Sequence, residues 1–222
     1  MRYAGEQKVV VDGTPYTATY FLRGYCPDLR VMKLAGELAL RVNRRAALGD
    51  MGLKALRITV RDIMLAALLH DLGKQHEDCA PFLDLLKNRD LRSHEQKLLE
   101  IVRDVHCRKG PCMIDRLKDA GREELSNPFI STVARRHGED YQTNRNGQLG
   151  CWWAREINLI TIADDYDAMV SEGPERAYKP ENFTPRDAVK LLRTGVEHGR
   201  YETRLAEIFI SDVLGLGSSV AG

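Results

Sequence analysis

After Phe21 the chain offers almost nothing that would make a strand, and from Asp28 onward its apolar residues recur at helical spacing. That restricts it to a fold of packed helices. In "DLRVMKLAGELALRVNRRAA", Val31, Leu34, Ala35, Leu38 and Val42 fall on one helical face, and Gly49 and Gly52 close the segment. Thr59 is placed to cap "VRDIMLAALLH", which is apolar enough to be a buried helix. Further helices are expected over 80–89 and 94–106, and another begins at Pro111 in "PCMIDRLKDA" and ends at Gly121. "NPFISTVARRH" reads as a short helix and "CWWAREINLITIADDYDAMV" as a long one. Thr184-Pro185-Arg186-Asp187 has the order of a helix start, with a cap, a proline at the first position and an acid at the third. That helix stops at Gly199, and a last one covers about 201–213. Residues 138–150 and 171–183 are polar and read as loops.

Ahead of the helices, "KVVVDGTPYTATYF" has the β-branched and aromatic arms of a hairpin that turns at Asp12-Gly13. A lone hairpin is marginal in water, so it must dock on the helices or on a second copy of the chain, and a homodimer would satisfy the latter. The expected fold is all-α, a compact irregular helical bundle with a small N-terminal β-hairpin. Its expected parts are the hairpin, 1–24, the helical domain, 25–214, and a flexible tail, 215–222.

A net charge of +1 provides no basic field for duplex nucleic acid. No apolar run approaches the roughly 20 residues of a membrane span, and the N-terminus lacks a signal-peptide pattern, so a cytoplasmic protein is expected. Cys26, Cys79, Cys107, Cys112 and Cys151 make no CxxC pair and are expected to be reduced thiols. Cys107 and Cys112 lack the second pair that a zinc site needs and read as small, half-buried residues.

The chemistry centres on "ALLHDLGKQHED", where an apolar helix delivers His70 and Asp71 at the rim of the core. Neighbouring residues on a helix point about 100° apart, so both can reach one metal only at an end or distortion, and Gly73 supplies that end. Imidazole with carboxylate suits iron, manganese, zinc or nickel. Alone, the pair reads rather as a decorated helix end, with Asp71 paired to a nearby cation and His70 capping the helix. "LITIADDYDAMV" adds Asp164, Asp165 and Asp167 inside an apolar segment. Asp165 and Asp167 are able to face solvent, but at least one acid must lie toward the core, and Asp164 follows Ile160, Ile162 and Ala163. A buried carboxylate needs a cation, a hydrogen-bond network or a metal. With His106 and His137, these residues make a distributed His/Asp metal site. His76 and His94 read as surface residues, His198 as a helix cap, and at least one of Trp152 and Trp153 as packing.

In this order the motifs resemble those of the HD superfamily of metal-dependent phosphohydrolases, and within it the HD-GYP branch. "LLHDLGK" resembles its HDxGK motif, and "EQKLLEIVRDVHCRKGPCMIDRL" its next histidine segment. "ITIADDYDAMVSEGPERAYKP" resembles its Ala-Asp-x-x-Asp-Ala helix and Arg-Pro-Tyr-Arg loop. The resemblance spans about 28–212 and implies a helical bundle of the HD-domain type. It implies divalent metal ions, two of them and iron or manganese by preference, that activate a hydroxide to hydrolyse a small phosphoester, either a nucleotide or a cyclic dinucleotide. Carried over, the ligands are His70, Asp71, His106, His137 and Asp164, with Asp71 bridging. Lys74 would act in catalysis and on substrate phosphate, and Arg176 and Lys179 would hold phosphate charge.

The sequence departs from the pattern at three places. No histidine precedes His70, and Asp28 lies nearest the position where the family has one. Arg136-His137 replaces a His-His pair, which would turn Arg136 toward substrate phosphate. "QTNRNG" replaces Gly-Tyr-Pro. These departures leave a catalytically degenerate regulatory or protein-interaction module as the competing reading.

Overall fold

The computed structural model describes residues 3–11, 14–22, 29–86, 94–146, 152–171 and 183–216, with side chains described from residue 29 onward. They fall into two compact units. Of these, the first comprises 3–11, 14–22, 69–86 and 94–135, and the second 29–68, 136–146, 152–171 and 183–216.

In the first unit, strands β1 (Tyr3–Val11) and β2 (Thr14–Leu22) run antiparallel with Tyr3 opposite Leu22. The Asp12-Gly13 turn expected between them lies outside the described residues. Both strands lie beside helix α3 (Ala80–Leu86) of the same unit. Helix α4 (Glu95–Asp119) packs on α3 through Cys79, Leu85, Leu86, Leu98, Val102 and Val105. Two separate helices were expected here, one of them starting at Pro111; instead α4 runs unbroken through that proline. A proline inside a helix costs about 3 kcal/mol. The helix buries Leu98, Val102 and Val105 before Pro111 and Ile114 after it. Each contributes about 1.5–3 kcal/mol, which outweighs the break. Gly121, at φ 92°, ends the segment as expected. Helix α5 (Pro128–Arg136) closes this unit, burying Phe129, Ile130, Val133 and Ala134.

The second unit is built on α1 (Leu29–Ala47) and α7 (Ala154–Val170), which pack on one another. The α1 face forms largely as its spacing predicts, with Val31, Ala35, Leu38 and Val42 buried. Helix α2 (Val60–Leu69) starts at Thr59, whose hydroxyl accepts from the Asp62 amide at 3.1 Å. In α8 (Pro185–Glu197), Thr184 accepts from the Asp187 amide at 3.2 Å, which is the expected helix start. Helix α9 (Thr203–Ile208) continues as a wider π turn over Phe209–Val213, and Phe209 meets Tyr166 edge-on at 5.4 Å.

The segment 138–150, expected as a loop, contains helix α6 (Tyr141–Asn146). The first amides of a helix have no partner within it. Here Tyr141 and Gln142 donate to the carbonyls of Arg200 and Gly199, at 3.0 and 3.2 Å. Those partners lie some sixty residues away in sequence, so local sequence gives no sign of them. No described helix is long and apolar enough to cross a membrane.

Candidate metal centre

Helix α2 ends at Leu69, and His70, fully buried, is the first residue past it. The chain then tightens into a 3-10 turn over Leu72–Gln75, with the Lys74 amide donating to the Asp71 carbonyl at 2.9 Å. In such a turn residues three apart eclipse one another. The Lys74 ammonium accordingly lands on Asp71 Oδ2. The helix end was expected to let His70 and Asp71 converge, and His70 Nε2 lies 3.4 Å from Asp71 Oδ2.

The other carboxylate oxygen, Asp71 Oδ1, lies 3.5 Å from His106 Nε2. His106 is buried at mid-length in α4, and its Nδ1 is 2.7 Å from the Val102 carbonyl. A carbonyl can only accept, so Nδ1 carries a proton, and in the neutral ring Nε2 is then the nitrogen with a free lone pair. Fixing a ligand histidine by its second nitrogen is how metal-binding imidazoles are usually held. A lone-pair nitrogen and a carboxylate oxygen repel unless a cation or a proton lies between them. The donor set therefore fits a divalent cation, and His70 with Asp71, and His106 with Cys107, belong to groups that could hold one.

Backbone contact sets the distance between the turn and α4. A Cβ on Gly73 would sit 2.0 Å from the His106 carbonyl oxygen and 2.7 Å from the Gly110 nitrogen. A Cβ on Gly110 would meet Ala134 of α5 at 3.2 Å. The sequence reading gave Gly73 only the role of helix end; its close approach to α4 was missed.

In the second unit His137 is buried immediately past α5, just as His70 follows α2. Its carbonyl accepts from the Thr161 hydroxyl of α7 at 2.8 Å. Arg136 lies 3.7 Å from Glu139 in an ion pair. Asp164 is half-buried on α7. The acid most removed from solvent is Asp167, which corrects the reading that it could face solvent. Asp167 accepts from the Ser171 hydroxyl at 2.6 Å and faces Arg30 at 3.3 Å. Asp165 also has protein partners: Arg200 donates to it at 2.6 and 3.0 Å, and the Tyr201 hydroxyl at 2.8 Å. Burial pushes the Tyr201 hydroxyl up, with the Asp165 charge adding to it, so Tyr201 stays a donor.

Asp28, Arg176 and Lys179 lie outside the described residues. Trp152 is exposed, with the Arg57 guanidinium 5.5 Å above its ring, and Trp153 is half-buried. His76 and His94, expected on the surface, are half-buried. His198 caps α8, as expected.

Residues 29–169 match the HD domain family, well over half the chain. The chain belongs to that family. HD domains are generally metal-dependent hydrolases within a phosphohydrolase superfamily, which agrees with the His and Asp donors around Asp71. No curated protein matches this HD domain.

Proposed function

We propose that this HD domain is a metal-dependent phosphohydrolase that cleaves a small phosphoester, a nucleotide or a cyclic dinucleotide, and that it is a divergent member of the HD-GYP branch. The observation that supports it most is His106, held as the Nδ1–H tautomer by the Val102 carbonyl with Nε2 toward Asp71. His70, Asp71 and His106 are the proposed ligands in the first unit. His137, Asp164 and Asp28 are the further ligands that the order of the family's motifs implies, with iron or manganese as the metals. Divalent cations bound there would lower the pKa of water and polarise phosphoryl oxygens.

The chain's own residues have distinct parts. Asp71 sets both carboxylate oxygens toward imidazoles, which suits a bridging ligand. Lys74 neutralises Asp71 and is partly exposed, so it can turn from the carboxylate to a substrate phosphate. Arg176 and Lys179 are the proposed phosphate holders, and Arg136 a third once it leaves Glu139.

One observation favours the second reading, a regulatory module without hydrolysis: Arg136 stands where the family has a histidine and is already paired with Glu139. Purified protein supplied with iron or manganese and assayed on phosphate monoesters, nucleotides and cyclic dinucleotides separates the two. The enzyme reading expects bound metal and turnover, both lost in Asp71→Ala with helical content intact. Full activity in Asp71→Ala would overturn it.

A further inference from the structure

Thr161 is buried on α7, and its hydroxyl has two carbonyls in reach. A threonine inside a helix can donate back to the carbonyl four residues earlier. Here that bond, to Ile157, is the longer one at 3.2 Å, and the His137 carbonyl lies at 2.8 Å. One hydroxyl carries one proton, and 2.8 Å is the common length for a hydroxyl donating to oxygen, so the proton goes to His137. Carbonyls at the end of a helix have no partner within it, and His137 follows α5 directly. The carbonyl one residue earlier, that of Arg136, accepts from the buried Asn144 side chain of α6 at 3.4 Å. Two successive carbonyls are thereby tied, one to α6 and one to α7. Asp164 stands three residues after Thr161, and residues three apart share a helical face. The hydroxyl that grips the His137 backbone therefore projects from the face of α7 that also carries Asp164.

We infer that Thr161 is a positioning residue: its hydroxyl fixes His137 over the Asp164 face of α7, so that imidazole and carboxylate meet a cation as a prearranged pair. The inference rests on the proposed roles of His137 and Asp164 as metal ligands. Holding a ligand by its backbone removes beforehand the freedom that binding would otherwise have to remove. Thr194 on α8 provides the contrast, since it donates back to the Lys190 carbonyl at 3.2 Å and faces solvent.

Manganese(II) and iron(II) affinities of the full chain, from equilibrium dialysis with elemental analysis, test this. Thr161→Val keeps the side-chain shape without the hydroxyl and is expected to weaken binding about tenfold, the lower end of losses when groups behind a metal ligand are removed. Thr161→Ser keeps the hydroxyl and is expected to bind like the wild type, as is Thr194→Val. Melting temperature is recorded alongside. A purely structural threonine would lower it in Thr161→Val and leave the affinities unchanged, and that result overturns the inference alone. So does a loss in Thr161→Ser or Thr194→Val equal to that in Thr161→Val. Thr161→Ala also lacks the hydroxyl and relieves crowding, and the same loss is expected of it. If neither Thr161→Val nor Thr161→Ala folds, the threonine serves the fold and the inference falls. A wild type that binds neither metal overturns the metal reading and the inference together.

Discussion

Asp71 sits in a tightened turn with an imidazole near each of its oxygens, whereas Asp165 and Asp167, on the regular helix α7, each face an arginine. Backbone shape accounts for the contrast. Along α7 successive side chains diverge by about 100°, so acids two positions apart are sent to different neighbours. Asp165 goes to Arg200 and Tyr201, and Asp167 to Arg30 and Ser171. After Leu69 the helix stops and a 3-10 turn begins, so His70, Asp71 and Lys74 converge and α4 adds His106. Density of acids in the sequence therefore does not by itself bring imidazoles to a carboxylate. The break in the helix after Leu69 does so for Asp71.

The largest effect is expected from Gly73→Val. Its Cβ would collide with the His106 carbonyl, so the turn or α4 must move. Destabilisation of about 3 kcal/mol is expected from thermal or urea unfolding. Bound iron or manganese, read by elemental analysis, should fall with it. Normal stability and metal content would break the claim that backbone contact sets the site.

Asp167→Ala sharpens the comparison from the other side. It removes a buried acid from Arg30 and Ser171, at a cost of roughly 1–3 kcal/mol, reduced because Arg30 is well exposed. Metal content should not change. An Asp167→Ala protein that folds but has lost its metal would show that α7's acids do not divide their roles in this way.

The smallest effect concerns Asp212, another acid answered by an arginine. Burial pushes its carboxyl up, but Arg45, donating to both oxygens at 2.8 and 2.6 Å, overrides this and holds it below the usual range. A depressed carboxyl stabilises the fold above its unfolded pKa of about 3.9, and that stability is lost as pH falls through the folded value. Asp212→Asn should therefore be less stable than wild type at pH 7 and converge with it in strong acid, seen as melting temperature against pH. An equal deficit at every pH would count against this.

Much of the scaffold was legible because it is written locally. The caps at Thr59 and Thr184 and the apolar face of α1 depend on residues a few positions apart, and the structure carries them as expected. The approach of His70 and Asp71 was legible because the helix end beside Gly73 is a local feature. What local sequence could not carry was the rest. Helix α4 passes Pro111 because of burial on both sides of it, and α6 forms because distant carbonyls accept its first amides. Asp167 looks like its neighbours until Arg30 is placed beside it.

Asp71 and His106 are 35 positions apart in the chain, yet their side chains meet. Bringing the ends of such a loop together costs about 3 kcal/mol of chain entropy by the logarithmic rule. A cation gripped by both residues would work as a cross-link on that loop, narrowing the unfolded ensemble much as a disulfide does. By that route the metal would hold α3 and α4 in place as well as serving the chemistry, and metal supply would govern how much folded protein exists.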